Sequence, residues 1–597
     1  MMTKIDYQKR KNQELFKSLE DPKSLFLSNS QNYIPIYKRI LSLNDTNFNG
    51  VNLNHRWYLS SVKQAVDDCP NLFECKVKNI QNQKVKDKEV FFKLAPLLVP
   101  YKYLIGKYAA QADKMLNLPE YNSNETNTIA SFTDPNNCAY VDGMFLYFTN
   151  SLIHEHKFLN GVDYYGSFLA VKNDFKVNVY DDIEFLHKSD FFNKNKNKLF
   201  KIDSYEHLFQ NDKGNKRKPI CIDQASDAVL DAAPIDDSIF EDIFDPNNTD
   251  PPTDPLEEMT FDAMNFVERI SKTLRSDSSG SSCSSRSSYT SAEDNGDDED
   301  KDKDKDNDDK DDKDDDEDDE ESSCDSDEEE EVIEATIPKF PVQVICMENC
   351  DNTLDDLIFS NDLTNDEWLS ALMQIIMTLL TYQKLFSFTH NDLHTNNVMY
   401  IETDKKFLYY RFKGKVYKVP TFGRIFKIID FGRSIYKVNG KTYCSDSFSP
   451  GGDASTQYNT EPYFNEKKPR LEPNYSFDLC RLACSIFDFV VDDIRDVKKC
   501  AKDPVKKIII DWCLDDNGVN VLYKNDGTDR YPDFKLYKMI ARFVHNHTPQ
   551  AQLERKEFKA FEFKGEVKGD IMDIDIHPPL GKVEPNPPFP KVEPKPL

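Results

Sequence analysis

Several features that define a functional class are absent from this sequence. Glycine is scarce, with 19 among 597 residues, and none occurs between Val51 and Ile105. The 13 cysteines are scattered, odd in number and without a C-x-x-C pair, so the sequence predicts neither a zinc site nor a disulfide framework. No apolar run of about 18 residues predicts a membrane span, and the first residues lack the apolar core of a signal peptide. We therefore expect an intracellular, cytoplasmic protein without a membrane partner.

A surplus of basic residues is also absent. The net charge is −29, and residues 301–330 alone hold 20 Asp/Glu and 5 Lys, which is about half of the imbalance. Binding to nucleic acid phosphates is therefore not expected. The Ser-rich and acidic segment 275–332 cannot bury enough apolar surface to offset its chain entropy, so we predict that it is disordered.

Elsewhere, hydrophobic patterns predict a mixed set of strands and helices. Alternating residues at 72–78 and 89–94, joined by a polar segment, predict a β-hairpin. Residues 138–153 are typical of a helix. The later predictions are a strand pair at 165–171 and 175–180, a strand at 341–347, a helix at 366–385, a hairpin at 407–421, and a helix at 477–490 that is apolar nearly all round and therefore buried.

The most informative stretch runs from Thr389 to Ser434. It begins with the sequence His-Asn-Asp-Leu-His-Thr-Asn-Asn at 390–397 and ends with Asp-Phe-Gly at 430–432. Neighbouring apolar runs predict strands, so an Asp and an Asn five residues apart lie on a loop between a helix and a strand, and a second Asp ends another strand. Phosphoryl transfer needs these groups: a carboxylate at the attacking hydroxyl, and an amide and a carboxylate on the metal ions that bridge the phosphates.

The two motifs resemble the catalytic loop and the metal-binding motif of the eukaryotic-type serine/threonine protein kinase superfamily. The resemblance covers roughly residues 60–190 and 338–560. It is closest to uncharacterised kinase-like proteins of giant DNA viruses, which would place the protein in a host cytoplasm or a virion. The segments that carry this narrower match are 92–98, 139–143, 389–397, 419–423 and 530–537.

This resemblance implies an α+β, two-lobed protein-kinase-like fold with a long disordered acidic insertion. The parts that we expect are an N-terminal extension (1–59), part of a smaller lobe (60–190), a Ser/Asp-rich insertion (191–337), the last small-lobe strand and hinge (338–350), a larger lobe (351–560) and a Pro-rich C-terminal tail (561–597).

The resemblance also implies roles for single residues. Asp392 would orient or accept the proton of the substrate hydroxyl, while Asn397 and Asp430 would bind magnesium. Asp478 resembles the buried Asp that anchors the catalytic loop, and because an unpaired buried carboxylate is costly, we predict that it accepts backbone N–H groups.

Two lysines are candidates for the phosphate contact. Lys172, in Leu-Ala-Val-Lys, is closer to the usual motif, but only Lys93 precedes the helix that would supply an acidic partner, so we favour Lys93. For that partner we favour Asp142, with Glu155 as the alternative; an Asp is one methylene shorter than the usual Glu and needs a closer helix. The ATP-binding residues that the resemblance implies are Lys93, Asp142, Glu348, Cys350 and Asp430.

Three departures from the kinase pattern keep other functions open. The glycine-rich phosphate loop is absent, which favours a pseudokinase scaffold. Asn391 replaces the Arg before the catalytic Asp, so phosphorylation-dependent switching through that Arg is not expected. His394 stands where protein kinases carry Lys. The pattern His-x-Asp-Leu-His-x-x-Asn at 390–397 is also similar to that of small-molecule phosphotransferases of the choline and aminoglycoside type. We predict transfer from ATP, with Mg²⁺, to Ser or Thr of a protein substrate; the oligomeric state is left open.

Overall fold

A computed structural model describes residues 5–54, 56–66, 69–122, 127–209, 332–360, 363–567 and 569–575. The chain divides into a larger unit, Met1–Asp203, Gly280–Asp316 and Val332–Leu597, and a smaller one, Ser204–Ser279 and Glu317–Glu331. Of the smaller unit only residues 204–209 are described, and Glu206–Phe209 form a 3-10 helix. Apart from residue 332, the predicted disordered segment 275–332 lies outside the described residues.

The described part of the larger unit mixes strands and helices. In chain order the strands are β1 (Tyr7–Lys9), β2 (Leu27–Gln31), β3 (Val51–Leu53), β4 (Trp57–Ala65), β5 (Leu72–Asn79), β6 (Val85–Pro96), β7 (Tyr164–Asn178), β8 (Lys201–Ile202), β9 (Glu334–Glu348), β10 (Asn352–Thr353), β11 (Val398–Glu402), β12 (Phe407–Phe412), β13 (Lys415–Pro420), β14 (Arg424–Ile428), β15 (Ile435–Val438), β16 (Lys441–Cys444), β17 (Glu562–Phe563) and β18 (Met572–Asp573). The helices are α1 (Gln13–Glu20), α2 (Pro100–Leu104), α3 (Ala130–Thr133), α4 (Cys138–His156), α5 (Ile183–Lys188), α6 (Asp190–Asn195), α7 (Leu354–Ser360), α8 (Asn365–Phe386), α9 (Phe477–Val490), α10 (Val497–Cys500), α11 (Pro504–Trp512), α12 (Phe534–Phe543), α13 (Pro549–Gln552) and α14 (Lys556–Lys559).

The main sheet is antiparallel and has the strand order β2-β7-β9-β6-β5-β4, with β8 also paired to β9. The predicted hairpin at 72–94 is confirmed as β5 and β6, which pair from Leu72 opposite Phe91 to Lys78 opposite Val85. Strand β6 lies between β5 and the long strand β9. Residues of β6 are therefore held on both sides by backbone hydrogen bonds, which makes this strand a rigid support for a side chain.

The predicted strand pair at 165–171 and 175–180 is wrong. These residues form the single strand β7, because β9 begins at Glu334, before the predicted start at residue 341, and offers a partner along its whole length. Asn173 pairs with Lys339 and Phe175 with Ile337, so the Asn-Asp that is typical of a turn stays within the strand. A long-range partner satisfies the backbone groups that a local turn would otherwise have to satisfy.

Two buried helices form the centre of the remaining structure. The helices predicted at 366–385 and 477–490 are confirmed as α8 and α9, and α8 begins with a capping box formed by Thr364 and Glu367. Helix α8 is long and apolar enough to cross a membrane by length and composition, but 83% of its most apolar window is buried inside the protein. That burial identifies α8 as a core helix of this fold.

Two smaller sheets complete the framework around the site. Strands β10, β11 and β14 form one sheet, and the predicted hairpin at 407–421 is confirmed as β12 and β13. Strands β17 and β18 extend this hairpin sheet, so residues near the start of the predicted Pro-rich tail (561–597) belong to regular structure. They are held there because Met572 and Ile574 are buried. Residues 576–597 lie outside the described part.

Candidate active site

Lys93 connects the main sheet to two acidic residues. It lies on β6 opposite Ile345 of β9, and its side chain is 8% exposed. Its Nζ is 2.7 Å from Oδ2 of Asp142, on α4, and 2.9 Å from Oδ1 of Asp430, which follows β14. One ammonium group therefore holds two carboxylates that come from distant parts of the chain.

The two carboxylates have different environments. Burial raises the pKa of Asp142, an effect that Lys93 opposes and the nearby Asp430 adds to. Burial also acts to raise the pKa of Asp430, but Lys93, together with His390 and the N–H of Gly432, more than offsets it and lowers the pKa to about 2. Asp430 is therefore ionised at neutral pH. Its backbone has a φ of 59°, a left-handed conformation that is uncommon for a residue other than glycine and is often found at functional sites.

A glycine lets the short Asp142 side chain reach Lys93. Gly143 follows it on α4, and a Cβ added there would overlap the side-chain amide of Gln343 and crowd Ile345, both on β9. A side chain at position 143 would therefore require the amide of Gln343, the end of a flexible side chain, to move. Glycine thus favours the close approach of helix to sheet that an Asp in place of Glu requires.

Asp142 also fixes the backbone beside Asp430. Its Oδ1 accepts a hydrogen bond of 2.9 Å from the N–H of Phe431. The Phe431 ring is fully buried and lies 4.7 Å from the ring of Phe145 on α4 and 5.7 Å from that of His390, measured between centroids. This aromatic packing and the hydrogen bond together hold the Asp430 loop against α4 and against the loop that carries Asp392.

The loop at 390–397 is anchored by Asp478, as predicted. Its Oδ2 accepts the N–H of His390 and its Oδ1 accepts the N–H of Asn391, each at 2.9 Å. Asp478 lies in the first turn of α9 and is fully buried. The two backbone donors satisfy a carboxylate that would otherwise be costly to bury.

His390 and Ile429 connect this loop to the one that carries Asp430. The Nδ1 of His390 accepts the N–H of Asp392 at 3.3 Å, so its Nε2 carries the proton and donates to the Ile429 carbonyl at 2.9 Å. The N–H of Ile429 in turn donates to the carbonyl of Asn397 at 3.0 Å. The segments that contain Asp392 and Asp430 are therefore hydrogen-bonded neighbours.

Asn391 has a structural role where kinases carry Arg. Its φ is 66°, a left-handed conformation that Asn tolerates better than most residues. Its amide donates to the carbonyls of Thr389 and Arg433, at 3.2 and 3.0 Å, and its Oδ1 accepts from the hydroxyl of Tyr458 at 2.8 Å. It thus fixes the segment after Asp-Phe-Gly without a charge.

Asp392 is 5% exposed and surrounded by donors and positive charge. The hydroxyl of Tyr537, on α12, donates to Oδ1 at 2.7 Å, and Nη1 of Arg433 lies 3.7 Å from the same oxygen. Burial acts to raise the pKa of Asp392, but Arg433, His394, Arg481 and the Tyr537 hydroxyl together lower it. The carboxylate is therefore ionised and can accept a proton.

Asn397 directs its amide group into the loop. Its Nδ2 donates to the carbonyl of Asp392 at 2.9 Å and contacts Nε2 of His394 at 3.0 Å. Burial lowers the pKa of His394 to about 4, so the imidazole is neutral and Nε2 can accept this hydrogen bond. With its amide hydrogens used inside the loop, Asn397 keeps Oδ1 as a ligand for a hard cation.

The other candidate residues lie outside this cluster of contacts. The Glu348 carboxylate accepts from Nζ of Lys427 and from the N–H of Asp163, each at 2.7 Å, and burial raises the pKa of the Cys350 thiol to about 12. The ammonium of Lys172, on β7, donates to the carbonyl of Asn173 at 2.8 Å. Glu155 lies near the end of α4, 4.0 Å from His156.

Sequence reasoning missed several members of the site. Arg433, Arg481 and Tyr537 were not predicted, although Tyr537 ends one of the segments that carry the family resemblance. Asn71, just before β5, lies against β6, because its carbonyl accepts the N–H of Phe92 at 2.9 Å.

No protein-family model matches the chain. Over 181 residues it is 27% identical to "Uncharacterized protein 098R" of Invertebrate iridescent virus 6, which covers 29% of this chain and 26% of that protein. The chain thus spans about a quarter of the length of this viral relative. The name of that protein states no activity.

Proposed function

We propose that this protein is an ATP-dependent protein kinase that transfers the γ-phosphoryl group, with Mg²⁺, to Ser or Thr of protein substrates. The observation that carries the proposal is the double ion pair of Lys93 with Asp142 and Asp430, next to the loop that holds Asp392 and Asn397. With Asp142 in place of the usual Glu, these are the residue types, in the chain order, that phosphoryl transfer in protein kinases requires.

The residues fit a nucleotide with magnesium. Mg²⁺ prefers oxygen ligands and is usually held by one or two protein groups together with waters and phosphates. Asp430, ionised, and Oδ1 of Asn397 are two such groups, and no cluster of three or more His, Cys, Asp or Glu among the described residues would hold a metal by itself. The magnesium would neutralise charge on the phosphates, and the Lys93 ammonium would contact phosphate oxygens.

Asp392 would act on the acceptor. It is ionised, and its Oδ1 already accepts a hydrogen bond of 2.7 Å from the hydroxyl of Tyr537. A substrate hydroxyl in the same place would be oriented by this oxygen and would pass its proton to it during transfer. Arg433 and Arg481 raise the positive potential at this point.

The fold supports a two-lobed arrangement. Lys93 comes from the main antiparallel sheet, whereas the 390–397 loop is anchored on the buried helix α9. Glu348, the last residue of β9, and the following Asn349 and Cys350 would be the hinge against which the nucleotide base lies. The similarity to a viral protein supports a viral origin, and a place in the host cytoplasm or the virion is proposed on that origin.

Two specific observations favour other functions. The neutral His394, where protein kinases carry Lys, supplies no cation for the γ-phosphate, and the sequence pattern at 390–397 resembles that of small-molecule phosphotransferases. The β4–β5 connection, Val-Asp-Asp-Cys-Pro-Asn, has no glycine and carries two carboxylates, which favours weak nucleotide binding and a pseudokinase scaffold. The ionised Asp430 and Asp392 argue against an inactive scaffold, and the Asp-Phe-Gly at 430–432 with the long segment that follows it favours a protein substrate.

Labelled ATP separates the three functions. The full-length protein, Asp392→Asn and the control Asp404→Asn, at a distant position, are incubated with Mg²⁺ and either generic protein substrates or small alcohols. A protein kinase labels protein, and only Asp392→Asn loses the label. Transfer to small alcohols alone would favour the phosphotransferase, and ATP binding without transfer would favour the scaffold.

A further inference from the structure

Tyr537 is in the position of an acceptor. Its hydroxyl donates to Oδ1 of Asp392 at 2.7 Å and accepts from Nε of Arg481 at 3.0 Å. Burial raises the pKa of Tyr537, so the hydroxyl keeps its proton at neutral pH and needs a base to become a nucleophile. The base that it contacts is the one assigned above to the substrate hydroxyl.

Two guanidinium groups surround the same ring. The Cζ of Arg481 lies 5.2 Å and that of Arg433 5.7 Å from the centroid of Tyr537. Arg433 also contacts Asp392 and donates to Asp453 at 2.8 Å, so both cations are fixed before any phosphate arrives. Guanidinium groups bind phosphate oxygens strongly, and a phosphoryl group on Tyr537 would find two of them nearby.

Helix α12 holds Tyr537 mainly through its second half. Ile540 and Ala541 are its buried residues, while the first two turns, 534–539, are partly or fully exposed. The helix begins after Asp533, which has a φ of 52° and gives no side-chain cap. The start of the helix is therefore less buried than its second half, and the hydroxyl contacts of Tyr537 with Asp392 and Arg481 connect it to the site.

We propose that Tyr537 is a phosphoryl acceptor of this chain's own active site, an inference that rests on the proposed kinase function. In this step Oη of Tyr537 forms a bond to the γ-phosphorus of ATP, the bond from that phosphorus to the bridging oxygen of ADP breaks, and the hydroxyl proton passes to Asp392. ADP leaves with the electron pair of the broken bond. Acceptor and base belong to one chain, so the fold itself places Tyr537 next to Asp392. A preference for Ser or Thr in separate substrates therefore does not prevent transfer to this tyrosine.

Phosphopeptide mapping tests the proposal on the full-length protein with ATP and Mg²⁺. We expect phosphate on Tyr537 at a rate per molecule that does not change with protein concentration, and its loss in Asp392→Asn and Tyr537→Phe. Tyr523→Phe is the matched control, because the exposed Tyr523 hydroxyl also donates to a carboxylate, that of Asp488 at 2.8 and 2.9 Å, outside the site. The control should keep the phosphate on Tyr537.

A second readout needs no ATP. If the hydroxyl bond to Asp392 holds the start of α12, amide hydrogen exchange at 534–539 should be faster in Tyr537→Phe than in Tyr523→Phe. Equal exchange would contradict the hydrogen bond between Tyr537 and Asp392 from which the inference is argued. Absence of phosphate on Tyr537 while protein substrates are labelled would overturn the inference but leave the kinase proposal intact. Absence of transfer to any acceptor would instead refute the proposed function as well.

Discussion

Replacement of Lys93 by Met tests the double ion pair through stability alone. The substitution keeps most of the side-chain length but leaves Asp142 and Asp430 close together without the ammonium between them. The Lys93 and Asp142 side chains are 8% and 2% exposed, so solvent can screen the remaining charges only weakly. Removing one partner of a buried pair costs about 3–5 kcal/mol of unfolding free energy, and we expect a loss of this size.

A double-mutant cycle separates charge from packing. Asp142→Asn removes one of the two facing carboxylates, so its effect should depend on whether Lys93 is present. The loss of unfolding free energy in the double variant Lys93→Met, Asp142→Asn should be about 1–3 kcal/mol smaller than the sum of the losses in the two single variants. The loss in Lys93→Met should also shrink at lower pH. Without the ammonium the folded-state pKa of Asp142 lies further above its unfolded value, so the native state binds the extra proton and gains stability as the pH falls.

Urea unfolding at pH 7 and at a lower pH measures these quantities. Lys63→Met is the matched control, because Lys63 and Asp87 form an ion pair of 2.9 Å that is exposed to solvent, and its loss should change stability little. A Lys93→Met variant as stable as the wild type, or single effects that simply add, would refute the conclusion that one buried ammonium holds both carboxylates.

Three further substitutions probe the framework of the site. Asp478→Ala leaves two buried N–H groups without an acceptor and should cost about 2–6 kcal/mol in urea unfolding, at 1–3 kcal/mol for each group; a neutral result would contradict the anchoring role. Burial raises the pKa of Asp446, which accepts the N–H of Cys138 at 2.9 Å, to about 7. The native state therefore keeps a proton that the unfolded chain loses near pH 4. The free energy of unfolding should accordingly decrease as the pH rises from about 4 to about 7, and Asp446→Asn should make this decrease smaller. Gly143→Ala places a Cβ against Gln343 and should lower the thermal midpoint, whereas an unchanged midpoint would show that α4 can move away at no cost.

The local patterns in the sequence predicted the elements that carry the site. Helix α9 was recognisable because residues 477–490 are apolar nearly all round, and the hairpin of β5 and β6 because its residues alternate. The choice of Lys93 and Asp142 followed from the chain order that the kinase resemblance implies, and their side chains form an ion pair of 2.7 Å.

Long-range packing decided what the sequence could not. The single strand β7 looked like two strands, because the residues that hold it straight belong to β9, more than a hundred positions later. The contact of Tyr537 with Asp392 joins positions 145 residues apart, and neither residue has a local pattern that points to the other. Gly143 shows the same limit, because its role depends on the side chain of Gln343 from another element.

Magnesium-dependent nucleotide binding tests the central claim most directly. Isothermal titration with a non-hydrolysable ATP analogue is carried out with and without Mg²⁺ on the wild type, Asp430→Asn, Asn397→Ala and the control Asp404→Asn. If Asp430 and Asn397 hold the metal, the wild type and the control should bind the analogue more tightly with Mg²⁺, and the two site variants should lose that gain. Binding that is equal with and without Mg²⁺ in the wild type, or a gain that both site variants retain, would contradict the account.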